Sequence, residues 1–182
     1  NIFSQVILHL QSHPSIIGWI CMNEPDFVKN RVSVDSIVGR TLWETACTYD
    51  PQRPAILASY LGDDENSGDT HMYLGSLENS FSLYTEILQH PEKLNTEFGI
   101  DAPPDIENLR KDRAISKRLS AVESKIAEIQ YYQYRLLKFY MEKYRLEKYK
   151  PCSGYFQFML IDLSPQSYYG IYDWWAVPKK CI

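Results

Sequence analysis

The chain has 182 residues, 45% of them apolar and 23% charged, with a formal net charge of −4. That is long enough for one domain with a hydrophobic core, and the composition is ordinary for a globular protein. The absence of a basic stripe argues against a nucleic-acid partner, no run reaches the length of a membrane span, no signal-peptide pattern opens the chain, and Cys21, Cys47, Cys152 and Cys181 lack the C-x-x-C spacing of a zinc or redox motif.

Ile2, Phe3, Val6, Ile7 and Leu10 recur at helical spacing and predict a helix over 1–12. His13-Pro14 ends it, because proline disfavours a helical residue before it. The run 16–22 has no polar side chain, which fits a parallel strand buried on both faces, and Glu24 sits where the chain leaves it. A polar loop is expected over 25–32. A second helix is expected over 33–49, with Ser33 as its N-cap and Ile37, Val38, Thr41, Leu42 and Ala46 on its inner side. The turn formers Asp50-Pro51-Gln52-Arg53-Pro54 break the chain before a short apolar strand at 55–60.

Residues 61–69 read as a loop, 70–73 as the end of a third strand, and the stretch beyond Gly75 as a long connection. Leu94 to Gly99 forms a strand that carries a second carboxylate, Glu97. Residues 105–119 are charged and predict a surface helix. Ser120-Ala121-Val122-Glu123 has capping-box spacing, and a long helix is expected from there to Lys148. Its inner face is Val122, Ile126, Ile129, Gln133, Leu136, Leu137, Tyr140 and Tyr144, and its charges form a solvated outer face. Pro151 stops that helix, and a last strand is expected over 154–161, ending at Asp162. Helices and apolar runs alternate, the pattern of the α/β class with a parallel sheet. The chain starts on Asn1 inside a predicted helix and reads as a fragment.

Glu24 and Glu97 each follow an apolar strand, and parallel strands deliver their C-terminal residues to one edge. Cleavage of a glycosidic bond needs two carboxyl groups, one protonated to assist the leaving oxygen and one ionised to attack or to activate water. A glutamate at a strand end is also a common structural residue, so the pattern alone leaves both readings open. Asn23 beside Glu24 could hydrogen-bond a substrate hydroxyl. His71 and Tyr73 add polar groups at a third strand end, although a lone histidine there is more often structural.

The motifs resemble glycoside hydrolase family 2. His13-Pro14-Ser15-Ile16-Ile17-Gly18-Trp19 followed by Asn23-Glu24-Pro25 resembles its acid/base segment. Asp50-Pro51-Gln52-Arg53-Pro54 resembles its Asp-Pro-Thr-Arg-Pro, and His71-Met72-Tyr73-Leu74-Gly75 its His-x-Tyr-x-Gly. Thr96-Glu97-Phe98-Gly99 looks like the nucleophile strand. Glu142 and Arg145, Cys152-Ser153-Gly154, Asp162, Asp173 and Pro178-Lys179-Lys180 are similar to the closing segments of the β-mannosidase-like branch.

The resemblance implies the C-terminal portion, strands four to eight, of a (β/α)8 barrel. It implies a retaining exo-β-glycosidase with Glu24 as acid/base and Glu97 as nucleophile. Asn23, His71, Tyr73, Phe158 and Asp162 would contact a carbohydrate substrate, with no metal or other cofactor, no nucleic acid and no membrane. An extracellular or periplasmic location fits the family. Phe158 stands where the family often has a stacking Trp, Ile161 where it has Asn, and Ser164 where it has Trp. Two other readings stay open: a catalytically silent carbohydrate-binding paralogue, and a family 5-like endo-mannanase or cellulase of the same clan.

Overall fold

The computed structural model describes residues 2–25, 36–60, 69–75 and 83–180. The expected cap Ser33, the loop 61–68 and most of the loop 25–32 lie outside the described residues. The chain is a mixed α/β structure that divides into two compact units, Asn1–His71 and Met72–Ile182.

In the first unit, α1 (Ile2–Leu10) precedes β1 (Trp19–Ile20), α2 (Ile37–Tyr49) and β2 (Ala55–Ile56). β1 and β2 are parallel, with Trp19 opposite Ala55 and Ile20 opposite Ile56, so the pair and its helix form a βαβ unit. Backbone bonding continues past the regular strands. The Ser59 N–H donates to the Met22 carbonyl at 2.9 Å, and the Glu24 N–H donates to the Ser59 carbonyl at 2.6 Å.

The core of this unit is Ile7, Trp19 and Ala46, with Phe3, Leu10, Ile16, Cys21 and Ala55 packed against it. Phe3, Ile7 and Leu10 share one stripe of α1, whereas Ile2 and Val6, expected beside them, are exposed. The inner side of α2 likewise differs from expectation. Gly39, Thr45 and Ala46 are buried, while Ile37 is 82% and Val38 53% exposed. The N-cap is Ser36, whose hydroxyl accepts from the Gly39 N–H, and Ile37 and Val38 lie in the first turn. The apolar run 16–22 is covered on one face only: Trp19 is buried, but Ile17 is 78% and Ile20 49% exposed.

Asp50 and Arg53 tie this unit together. Asp50 Oδ2 accepts from Trp19 Nε1 and from Arg53 Nη1, both at 2.9 Å. Arg53 also donates to the carbonyls of Ile16 (2.6 Å) and His13 (3.2 Å). A turn between α2 and β2 thereby holds the approach to β1. Gly18 eases this close approach, since a Cβ there would lie a tight 3.1 Å from the Pro54 carbonyl oxygen.

The second unit is entered through the end of β3 (Thr70–Met72) and contains α3 (Leu83–Gln89), β4 (Leu94–Phe98), α4 (Ile106–Leu109), α5 (Arg113–Arg118), α6 (Ile126–Leu146) and β5 (Gly154–Gln157). α3 occupies part of what the sequence predicts as a connection, and it buries Ile87. The expected surface helix over 105–119 is two short helices. Asp112 interrupts it by accepting from the Ala114 and Ile115 N–H groups and starting α5. Ser120–Lys125 is a 3₁₀ turn, not a capping box: the Ser120 hydroxyl donates to the Lys117 carbonyl.

α6 presents Ile126, Gln130, Gln133, Leu136, Leu137, Tyr140, Lys143 and Tyr144 inward. Lys143 departs from the expected solvated charges. Its ammonium is buried, donates to the His90 carbonyl at 2.6 Å and to Glu147 Oε2 at 3.0 Å, and lies 3.7 Å from Glu92. Phe98 sits at the centre of this core, its ring 5.4 Å from Tyr140, 5.3 Å from Tyr144 and 6.0 Å from Tyr155. Burying a side chain of this size contributes about 1.5–3 kcal/mol.

β4 and β5 are parallel, with Leu94 opposite Gly154, Asn95 opposite Tyr155 and Phe98 opposite Gln157. β4 thus advances three residues while β5 advances two, a bulge at Thr96–Glu97. Bulges re-aim side chains and are frequent beside functional sites. Beyond β5 the Phe158 N–H donates to the Phe98 carbonyl at 2.8 Å. No helix among the described residues is long and apolar enough to cross a membrane.

Candidate functional site

In the first unit, Glu24 leaves the β1 segment with φ 42°, a left-handed conformation that costs a non-glycine residue about 1–3 kcal/mol. Its N–H bond to the Ser59 carbonyl holds the backbone there, and Asn23 bridges to Ser59 beside it. Asn23 is exposed and Glu24 half-buried. The Glu24 Oε1 lies 2.6 Å from Nδ1 of buried His71. His71 Nε2 lies 2.9 Å from the Ser59 hydroxyl, which donates to Asp69 Oδ2 at 2.5 Å. The Tyr60 ring covers the imidazole at a centroid distance of 5.1 Å. Four polar side chains therefore line up as Glu24, His71, Ser59 and Asp69. Two of them, Ser59 and Asp69, are missed by sequence reasoning, which placed the first in a strand and the second in a loop. Their only signal is that each flanks a strand end.

In the second unit, the bulge in β4 carries Glu97, which is half-buried. Its Oε2 accepts from the Tyr73 hydroxyl at 2.7 Å. Such a bond fixes which carboxylate oxygen remains for chemistry. Tyr73 is in turn wedged edge-on against Phe158 (6.4 Å) and Tyr169 (5.5 Å). Gly99 makes this possible, since a Cβ there would fall 2.1 Å from the Phe158 carbonyl oxygen. Tyr169 is another residue that the sequence did not single out.

Asp162 is placed differently from the expected sugar contact. It is 2% exposed, pairs with buried Lys179 at 2.8 Å and accepts the Gly170 N–H at 2.6 Å. Burial pushes its carboxyl above the usual range, with the Lys179 ammonium opposing. Asp173 accepts from the Trp175 and Val177 N–H groups and from the Asn108 amide. These two aspartates fasten the tail to the unit. Ile161, beside Asp162, is 39% exposed.

The fold and these residues define an α/β chain with carboxylates at the ends of parallel strands. Solved structures with the same fold are β-glycosidases of glycoside hydrolase family 2. The chain is similar to a β-D-mannosidase from Dictyoglomus thermophilum, with a TM-score of 0.70 and 22% identity over 97% of this chain and 27% of that one. It is similar to a β-glucuronidase from Faecalibacterium prausnitzii, with a TM-score of 0.65 and 16% identity over 99% of this chain and 32% of that one. It is also similar to a family 2 β-galacturonidase from Eisenbergiella tayi, solved bound to galacturonate, with a TM-score of 0.62 and 19% identity over 98% and 34%. The chain thus spans about a third or less of the length of these enzymes, and at such identities the likeness is one of fold. No family model and no curated protein matches the chain.

Proposed function

We propose that the protein acts as a retaining exo-β-glycosidase, this chain supplying strands four to eight of a (β/α)8 barrel. The observation that carries the reading is that each strand-end glutamate is oriented by a dedicated partner: Glu24 by His71 and Glu97 by Tyr73. In the proposed reaction Glu97 attacks the anomeric carbon and the bond to the leaving oxygen breaks, with Glu24 donating a proton to that oxygen. Glu24 then takes a proton from water as the water attacks the glycosyl–Glu97 ester, which releases the sugar and regenerates both carboxyl groups. Asn23, exposed next to Glu24, is the candidate partner of a sugar hydroxyl, and Phe158 offers an aromatic surface.

The test is a panel of aryl β-glycosides (mannoside, glucuronide, galacturonide, galactoside) on the full-length protein and its Glu97→Gln variant. Turnover of at least one substrate by the wild type, lost in the variant, is the expected result. Turnover that survives the substitution overturns the assignment. A second reading, sugar binding without turnover, is favoured by Asp162 being drawn into its ion pair and Ile161 being exposed where family 2 enzymes often have Asn. Calorimetric binding of a sugar with no hydrolysis would establish that reading instead.

A further inference from the structure

The line of polar groups behind Glu24 has a direction. A serine hydroxyl has one proton, and Ser59 gives it to the Asp69 carboxylate at 2.5 Å. Toward His71, at 2.9 Å, the Ser59 oxygen can then only accept. His71 Nε2 must therefore carry a hydrogen. In neutral imidazole one nitrogen donates and the other accepts, so a hydrogen on Nε2 leaves Nδ1 with a lone pair aimed at Glu24 Oε1, 2.6 Å away. Two acceptors cannot approach to that distance without a proton between them. The Glu24–His71 pair thus holds one proton in addition to the Nε2–H, and Asp69 and Ser59 place it there.

We infer that Asp69 and Ser59 are positioning residues that lock the Nε2–H of His71 in place, so that the Glu24–His71 pair waits for substrate with its shared proton in place. The inference rests on the reading of Glu24 as acid/base and adds what keeps that acid loaded. In the first half-reaction the pair's proton moves to the leaving oxygen as the glycosidic bond breaks. In the second the pair takes one back from the attacking water. With Asp69 neutral or Ser59 absent, the acceptor that Ser59 offers to the hydrogen on Nε2 is weakened or lost. Imidazole then turns its N–H toward Glu24, satisfies the carboxylate, and leaves no proton to give. Among the described residues of the first unit, Glu24 bonds His71 directly, Tyr60 covers its ring, and Asp69 reaches it through Ser59.

The experiment uses the full-length protein with Asp69→Asn and Ser59→Ala variants, and Ser59→Thr as the conservative replacement that retains the hydroxyl. Two readouts are taken. The first is kcat/KM for an alkyl β-glycoside, which needs protonation of its leaving oxygen, and for a dinitrophenyl β-glycoside, which does not. Loss of the proton should cost about 10- to 100-fold on the alkyl substrate, part of the roughly 10²–10⁴ that general acid catalysis supplies. The dinitrophenyl substrate should change less than about 3-fold, and Ser59→Thr should restore the alkyl rate. Equal losses on both substrates would overturn the inference, because they mark general damage and not a missing proton.

The second readout is the ¹⁵N spectrum of labelled histidine, assigned to His71 with a His71→Gln variant. The expected wild-type signature is a protonated Nε2, changed in Asp69→Asn; a wild type with a bare Nε2 refutes the tautomer directly. If no glycoside is turned over by the wild type, the catalytic reading fails, while the spectrum still decides the direction of the hydrogen bonds.

Discussion

Gly99→Ala would drive a methyl group into the backbone of the neighbouring segment. The added methyl would fall 2.1 Å from the Phe158 carbonyl oxygen, about 1.3 Å inside the 3.4 Å of ordinary contact. The obstacle is backbone, and that carbonyl belongs to the segment whose N–H is bonded to Phe98, so neither side can turn away as a side chain would. Overpacking of this kind costs typically about 1–3 kcal/mol. The reduced freedom of the unfolded chain returns about 0.4–1 kcal/mol, so destabilisation wins. The expected drop in Tm is several degrees, at about 2–4 °C per kcal/mol for a chain of this size.

Gly154→Ala is the matched control. Its nearest neighbour is Leu94 Cδ1 at 3.2 Å, the mobile end of a side chain, and the change should stay within about 0.5 kcal/mol. The assay is urea unfolding of both variants followed by circular dichroism. Activity of the full-length protein is the second measure. A displacement of about 1 Å beside Glu97 is enough to lower kcat by about 100-fold. Equal stability of the two variants would refute the steric argument, and unchanged kcat in Gly99→Ala would refute the coupling of Gly99 to Glu97.

Two further predictions concern pH. The hydrogen bond from Trp19, then those from Arg53, holds the Asp50 carboxyl below its usual value despite some desolvation. A carboxyl with a folded pKa below the unfolded one adds stability that is present above the unfolded value, about 3.9, and is lost as pH falls through the folded one. Asp50→Asn should therefore lower Tm at pH 7 and flatten the acid limb; an unaltered acid limb would count against the argument. Glu92 has the opposite sign. Burial pushes its carboxyl up, with Tyr144 and Lys143 only partly offsetting. Wild-type stability should then decline as pH rises from about 4.3 toward neutrality through this group, and Glu92→Gln should remove that decline. A pH–Tm curve of the variant superimposing on the wild type would contradict it.

The parts of the fold legible in the sequence are those written in local chemistry. Asp50-Pro51-Gln52-Arg53-Pro54 shows itself as turn formers, and both its charged residues do brace the approach to β1. The α6 stripe from Ile126 to Tyr144 follows helical period and is buried except for half-buried Ile129, with Gln130 and Lys143 added to it because their ends reach carbonyl or carboxylate partners. What was not legible depends on contacts distant in the chain. Ser36 caps α2, and Ile37 and Val38, apolar by sequence, are exposed in its first turn. Asp162 looks from sequence like a strand-end acid, but its partner Lys179 is seventeen positions on. Ser59 and Asp69 carry no pattern of their own; only His71, itself a single residue, gives them a task. The strand-end glutamates were visible, but the left-handed backbone of Glu24 and the bulge under Glu97 were not, because both arise from pairing with a neighbouring strand.

The central claim, that Glu97 is the nucleophile of a retaining β-glycosidase, is tested most directly by trapping. The full-length protein is incubated with an activated 2-deoxy-2-fluoro β-glycoside of whichever sugar it turns over, digested, and examined by mass spectrometry. The expected result is a single sugar-bearing peptide with the label on Glu97 between Thr96 and Phe98. A label on another carboxylate, or steady turnover with inversion and no label, would contradict it.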